Sequence, residues 1–247
     1  MSETIQALSS ARAIAIGGGD GSLGGAASIL AESGTTLGIL PLGTRNHLAK
    51  QLDIPIDIEG AAKVIAAGLS TRIDLGYVSD KTFVNNAAIG TYPRLVRERD
   101  HRNLPKWLAT IPAAWFVLKR NDHQHLDLRW PGNSREIVTP MLFVGNNHYA
   151  LHGGNIGERD KLDDGMLSIY AVAPRGRLAL IAFALRALIG RADARRDFDA
   201  LDDVAKLTVD GPGKSVDVAL DGEVMRFDLP LTFASRPRAL SVFAPAP

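Results

Sequence analysis

The stretch AIAIGGGDGSLGGAASIL, residues 13–30, leads an apolar strand into a dense glycine cluster and then into a helix running to Ser33 and closed by Gly34. Glycine crowded after a strand means that a backbone must come very close to something. That something is a dinucleotide, the phosphates of a nucleotide, or the next turn of chain. Gly19-Asp20-Gly21-Ser22-Leu23-Gly24 satisfies G-x-G-x-x-G between a strand and a helix. A dinucleotide site, however, wants an acidic residue at the end of the next strand to hold the ribose hydroxyls. Here that strand ends GILPLGTRN, residues 38–46, with no carboxylate. A bare turn needs no aspartate inside it. Backbone N–H groups of a glycine turn, with a helix N-terminus behind them, make an anion site. A carboxylate within that turn tolerates phosphates when a divalent cation or its water shell lies between. Asp20 therefore favours a Mg-nucleotide over NAD.

The neighbouring segment LPLGTRNHLA, residues 40–49, places a second glycine turn, Gly43-Thr44, at the carboxyl end of the next strand. Two adjacent strands ending in such turns define the crevice in which open α/β sheets bind ligands. Thr44 is placed to donate to a phosphate, to cap the following helix, or both. That helix is expected from near Thr44 to before Pro55, and Asp57 is expected to cap IEGAAKVIAAG, ended by Gly68. Strand–helix–strand–helix at this spacing predicts a parallel sheet with helices on its faces.

After Asp74 the rhythm changes. RIDLGYV and KTFVNNAAIG flank a turn at Ser79-Asp80, and residues 93–120 read as helix with a proline break. HLDLRW, EIVTPMLFVGNN, GMLSIYAVAP, AKLTVD, SVDVALDG and PLTFAS read as strands, with WPGNSREI and VDGPGKSV as hairpin loops. The expected organisation is an α/β domain over 1–76 and an all-β domain with a few added helices over 77–247.

Composition narrows the class. Of 247 residues, 46% are apolar and 22% charged, as in an ordinary globular protein, and a net charge of +1 supplies no global field for nucleic acid. The absence of cysteine excludes disulfides and thiolate chemistry. The opening residues lack the basic start and apolar core of a signal peptide, and LALIAFALRALIG, residues 178–190, is too short to span a bilayer. A cytoplasmic protein is expected.

GGDGS followed by PLGTRN resembles the catalytic domain of the diacylglycerol kinase and sphingosine kinase family of ATP-dependent lipid kinases. NAD kinases share the first motif but not this form of the second. The resemblance continues through FVNNAAIGTYPRLVRERD (83–100), LFVGNNHYALHGG (142–154), KLDDGMLSIY (161–170) and ALDGEVMR (219–226). It implies an α/β nucleotide-binding domain of NAD kinase/diacylglycerol kinase type followed by a β-sandwich, with the active site in the cleft between them. It places Gly18, Gly19, Asp20, Gly21, Ser22, Leu23 and Gly24 around the nucleotide phosphates, with Gly43, Thr44 and Asn46 beside them. It makes the LDDG turn a Mg²⁺ site, with the Asp164 carboxylate and the backbone carbonyls of Lys161 and Met166 as ligands. It makes Glu223 of LDGE the proton acceptor, with Asp221 two residues earlier on the same side of the strand. The implied partners are ATP, a lipid such as diacylglycerol, and the inner face of a membrane. Another class remains: a nucleotide- or lipid-binding homologue without catalysis.

The chain departs from that pattern at three points. The family carries a strand, a helix and a further strand with an Asn-Pro-x-x-Gly-like loop before the glycine cluster, so an N-terminally short domain is expected. Gly24-Gly25 stands where Asn-Glu is common, and His47 where many members carry Asp. His148 and His152 fall on a strand end and loop, which gives them no shared helical face for a metal. Residues 175–196 carry six arginines around an apolar helix, which suits an anionic membrane surface as well as a buried helix with solvated ends.

Overall fold

The computed structural model describes residues 11–44, 46–90, 93, 123–149, 159, 161–172 and 198–246. The helix expected over 93–120, the arginine-rich segment 175–196 and His152 lie outside the described residues, Pro93 excepted.

Strand β1 (Ala13–Gly18) pairs in parallel with β2 (Thr36–Pro41), and helix α1 (Asp20–Ser33) connects them. Gly34 ends α1 in the left-handed conformation at φ 69°, where a residue with a Cβ would be strained. Two further helices follow, α2 (His47–Gln51) and α3 (Ile58–Ala67). Asp57 caps α3 by accepting from the Gly60 N–H at 2.7 Å, and Gly68 closes it in the left-handed region. Helix α2 is shorter than expected: it begins at His47, three residues beyond Thr44.

The other regular elements among the described residues are strands. β3 (Ser70–Val78), β4 (Lys81–Phe83), β6 (Gln124–Trp130), β7 (Asn133–Thr139), β11 (Lys206–Asp210) and β14 (Leu231–Phe243) join β1 and β2 in one sheet. β10 (Phe198–Val204), β9 (Leu167–Val172), β8 (Met141–Asn146), β5 (Asn86–Gly90), β12 (Ser215–Leu220) and β13 (Glu223–Asp228) form, in that order, a second sheet. β14 spans both halves of the first sheet. Its early residues pair with β11 and the end of β3; after an irregularity between Arg236 and Leu240, its late residues pair with the start of β3, and Val242 meets Leu37 of β2.

WPGNSREI is a hairpin as expected, closed by a two-residue turn with Trp130 opposite Asn133 and Gly132 at φ 79°. VDGPGKSV is not a hairpin: β11 and β12 lie in different sheets, so this loop crosses between layers. EIVTPMLFVGNN is two strands, broken at Pro140, and β10 and β13 were not anticipated. A register shift between Ala200 and Asp202 in FDALDDV, and the adjacent apolar Val224 and Met225 in EVMRFD, break the alternation that marks a strand.

Two apolar clusters hold the layers. One packs α1 against β1, β2 and the late half of β14 through Leu23, Leu30, Leu37, Ile39 and Val242. The other fills the space between the two sheets, with Phe83, Leu128, Leu207 and Phe233 from one and Ile89, Leu142, Ile169 and Val218 from the other. Phe83 and Phe233 meet edge to face, centroids 6.4 Å apart. Among the described residues no helix is long and apolar enough to cross a membrane. Phe83 is fully buried at the join of β4 and β5, so Phe83→Ala is expected to lower unfolding free energy by about 3–5 kcal/mol in urea denaturation.

Candidate active site

The glycine cluster meets the second glycine turn directly. A Cβ placed on Gly43 would fall 2.4 Å from the Gly19 Cα and 2.7 Å from Asn46 Oδ1. The two strand-end turns thus touch backbone to backbone, and no side chain fits between them. Buried Asn46, left-handed at φ 50°, braces this contact. Its Oδ1 accepts from the Gly43 N–H at 2.9 Å, and its Nδ2 donates to the carbonyls of Pro41 and Gly43 at 3.1 and 2.8 Å.

Asp20 opens α1 and reaches across to α2. Its carboxylate accepts from the backbone N–H groups of His47 at 3.2 Å and Leu48 at 3.1 Å. Thr44 therefore does not cap α2: Asp20 supplies that cap from another helix, and Thr44 is exposed. A carboxylate on the first free N–H groups of a helix is favoured by hydrogen bonding and by the helix dipole. Leu23 offers the cleft nothing polar, because its side chain is in the core and its N–H donates to the Gly19 carbonyl at 3.1 Å. Gly18 is packed against Ser22, whose Cβ would lie 2.7 Å from a Cβ at position 18.

The outer face of α1 borders a cavity of about 350 Å³. Gly21, Gly24, Gly25, Ser28 and Ile29 form one wall; Asp80 of the β3–β4 turn and Lys81 and Thr82 of β4, with Leu220, Asp221, Glu223 and Met225, form the other. Glu223 and Asp221 do not share a strand face as the sequence reading had them. Leu220 pairs with Glu223, leaving Asp221 and Gly222 as the two turn residues, at φ 47° and 91°. Two positive φ values make this a hairpin turn of the primed type. The turn aims the Asp221 side chain inward and leaves Glu223 exposed at the cavity wall. A Cβ on Gly21 would stand 3.5 Å from Glu223 Oε1, and one on Gly24 2.7 Å from Asp221 Oδ2. Gly24 thus has a reason for its identity that needs no ligand: any side chain there collides with Asp221.

Asp221 is held by three successive backbone donors. Oδ2 accepts from the Val84 N–H at 2.7 Å, and Oδ1 from those of Asn85 and Asn86 at 2.8 and 3.1 Å. Burial nevertheless pushes its pKa up to about 6, against the pull of these donors and of Arg159.

At the LDDG turn the Asp164 carboxylate accepts from Asn147 Nδ2 and the Met166 N–H through Oδ1, at 2.9 and 3.0 Å, and from the His148 N–H through Oδ2 at 2.9 Å. The Met166 carbonyl accepts from the Asn147 N–H at 2.9 Å. A carboxylate beside a backbone carbonyl is an oxygen donor set, which fits a hard cation; Oδ1 of Asp164 already accepts two bonds, while its Oδ2 and the Met166 carbonyl each accept one among the described residues and keep a lone pair. Among the described residues no three His, Asp or Glu side chains converge on one point. His148 instead faces Asp203, Nδ1 to Oδ2 at 2.8 Å. Buried polar groups that no motif singles out, Asp74 and Arg159 with Asn85, Asn146 and Asn147, join these turns. Asp74 accepts from Asn147 Nδ2, the Gly165 N–H and the Arg238 N–H at 2.6–2.7 Å. Only the run of paired asparagines, FVNN and VGNN, hinted at such a network.

A family model described as the diacylglycerol kinase catalytic domain matches residues 2–78, and one described as the YegS C-terminal NAD kinase beta sandwich-like domain matches residues 97–244. The chain belongs to the diacylglycerol kinase-like family of lipid kinases. A curated diacylglycerol kinase of Staphylococcus aureus is 28% identical over 237 residues, covering 92% of this chain and 73% of its own length. Among solved structures, a diacylglycerol kinase from Bacillus anthracis superposes with a TM-score of 0.69 at 20% identity, over 99% of this chain and 80% of its own. A yeast NADH kinase complexed with NADH superposes with a TM-score of 0.53 at 13% identity, over 95% and 62%. The two-part architecture expected from the motifs, a kinase-type nucleotide domain with a β-sandwich, is that of these relatives.

Because Asp221 titrates near 6 when folded and near 3.8 when unfolded, folding favours its protonated form. The stability this contributes is complete below the unfolded value and is lost as pH rises through about 6. Relative to Asp221→Asn, wild type is expected to lose at most about 3 kcal/mol between pH 4 and pH 7, read from paired denaturation curves.

Proposed function

We propose that this chain transfers the γ-phosphoryl group of ATP to the hydroxyl of a lipid, diacylglycerol or a close relative. The observation that carries this reading is Glu223: an exposed carboxylate on the wall of a cleft whose opposite wall is the first turns of α1, next to Gly21. Phosphoryl transfer asks a protein for position, for neutralisation of phosphate charge and for a base at the attacking hydroxyl. The glycine turn and the N-terminus of α1 offer N–H donors for phosphate oxygens. Glu223 takes the proton from the lipid hydroxyl as its oxygen bonds to the γ-phosphorus, and ADP leaves with the electrons of the broken O–P bond. Asp221 holds the turn that presents Glu223.

Mg²⁺ would be held by the Asp164 carboxylate with the carbonyls of Lys161 and Met166, and when bound it would offset negative charge at the LDDG turn. The 350 Å³ cavity suits a polar headgroup, so the acyl chains of the lipid stay outside it, at a membrane.

The test is transfer of labelled phosphate from ATP to a panel of diacylglycerols and sphingoid bases. Wild type is expected to label a diacylglycerol, and Glu223→Gln to lower turnover by roughly 10²–10⁴. No labelling of any lipid, or full turnover in Glu223→Gln, defeats the reading. A second measurement addresses the metal. Asp164→Asn is expected to move the Mg²⁺ dependence of turnover to higher concentration, by about tenfold or more for one lost carboxylate ligand. Superimposable Mg²⁺ titrations, with a lowered melting temperature, would leave Asp164 as a brace for Asn147 and His148 alone.

A further inference from the structure

Arg159 is a buried cation, 7% exposed, and among the described residues no carboxylate pairs with it directly. Its donors are instead divided between α2 and the strands of the second sheet with the segment that leads into it. On the glycine-turn side, Nε donates to Gln51 Oε1 at 3.0 Å and Nη2 reaches the same oxygen. On the sandwich side, Nη1 donates to the carbonyls of Val84 at 2.8 Å and Asn146 at 3.2 Å, and Nη2 to Asn85 Oδ1 at 2.9 Å. The guanidinium lies over the Tyr149 ring, 5.6 Å from its centroid.

The two ends of this fork lead to the two halves of the cleft. Gln51 is the last residue of α2, whose first N–H groups are capped by Asp20 of the glycine turn. The peptide group between Val84 and Asn85 has its carbonyl on Arg159 and its N–H on Asp221. That one peptide therefore stands between a cation and an anion, polarised by both. Asp221 in turn sits in the turn that carries Glu223.

We propose that Arg159 is a positioning residue that ties α2 and the glycine turn to the Val84–Asn86 segment, and so sets the place of Glu223 relative to the first turn of α1. The proposal rests on the reading of this cleft as a phosphoryl-transfer site. A planar five-donor fork is needed because the acceptors lie on two elements; the ammonium of a lysine is a point charge and serves one side at a time. Removing the cation takes the Arg159 donors from Asn85 Oδ1 and Gln51 Oε1, leaves the Val84 carbonyl to Asn146 Nδ2 alone, and removes the charge that compensates Asp221.

The test uses the 247-residue chain with Arg159→Met, Arg159→Lys and Gln51→Ala, reading lipid phosphorylation and amide hydrogen exchange. Arg159→Met is expected to lower kcat by at least about tenfold while the KM for ATP moves less than about threefold, because misplacement of the base affects transfer more than phosphate binding. Exchange at Val84–Asn86 and in α2 is expected to quicken together, by about tenfold or more, while the β6–β7 hairpin keeps its protection. Arg159→Lys is expected to restore protection on one side of the cleft and only part of kcat. Wild-type kcat in Arg159→Met overturns the proposal and leaves the kinase reading intact. Should Arg159→Met fail to fold, Gln51→Ala decides: lowered kcat at an unchanged melting temperature supports the proposal, and wild-type kcat overturns it. If wild type labels no lipid, the kinase reading falls, and exchange alone judges Arg159: joint loss of protection on both sides supports the tie, and loss on one side or neither refutes it.

Discussion

The carboxylate of Asp221 satisfies a constraint that the two-sheet architecture creates. The chain leaves the first sheet at Phe83 and enters the second at Asn86, so the intervening backbone crosses between layers and cannot join either ladder in full. Its N–H groups are nonetheless buried with Val84 and Asn85 and need acceptors. Asp221 gathers three of them at once, and the Asp221 N–H returns a bond to the Asn86 carbonyl at 3.0 Å. The crossing between sheets and the turn that carries Glu223 are therefore one unit. Arg159 closes that unit from the carbonyl side and adds α2 to it.

The same logic explains the glycines, which are of two kinds. Gly19 and Gly43 are required because two strand ends meet with no room for a Cβ, so their partner is the neighbouring chain. Gly21, Gly24 and Gly25 lie on the cavity wall, where a bare helix face leaves space opposite Glu223. The sequence reading weighed a ligand against the next turn of chain as rivals. In the fold the next turn of chain accounts for Gly19 and Gly43 and the Asp221 side chain for Gly24, while Gly21 and Gly25 border an open cavity. Asp20 shows a similar division: the acid inside the glycine turn is bonded to the N-terminus of α2, and it links the two turns that flank the crevice.

Much of the local structure was legible. Gly34, Gly68 and Asp57 marked helix ends because left-handed backbone and free N–H groups call for those residue types wherever they occur. The WPGNSREI hairpin was legible for the same reason, whereas VDGPGKSV carries equally good turn residues and crosses between sheets. Turn chemistry fixes how the backbone bends; it says nothing about which sheet the next strand joins. β10 and β13 escaped notice because a register shift between Ala200 and Asp202 and the adjacent Val224 and Met225 interrupt the two-residue period.

By itself, the sequence determined the class of the protein: strands, helix caps, the glycine turns, and the GGDGS and PLGTRN motifs with the LDDG and LDGE turns, which mark a nucleotide domain followed by a β-sandwich. Those are properties of short segments, set by backbone geometry and side-chain type within a few residues. The tertiary structure decided which polar groups answer one another: Asp20 with α2, Asp221 with Val84–Asn86, Arg159 with Gln51 and Asn85, Asp74 with Asn147 and Arg238. These partners are separated by up to 164 residues, and each pairing exists because burial removes water from a donor or acceptor that must then find its match wherever the fold brings one.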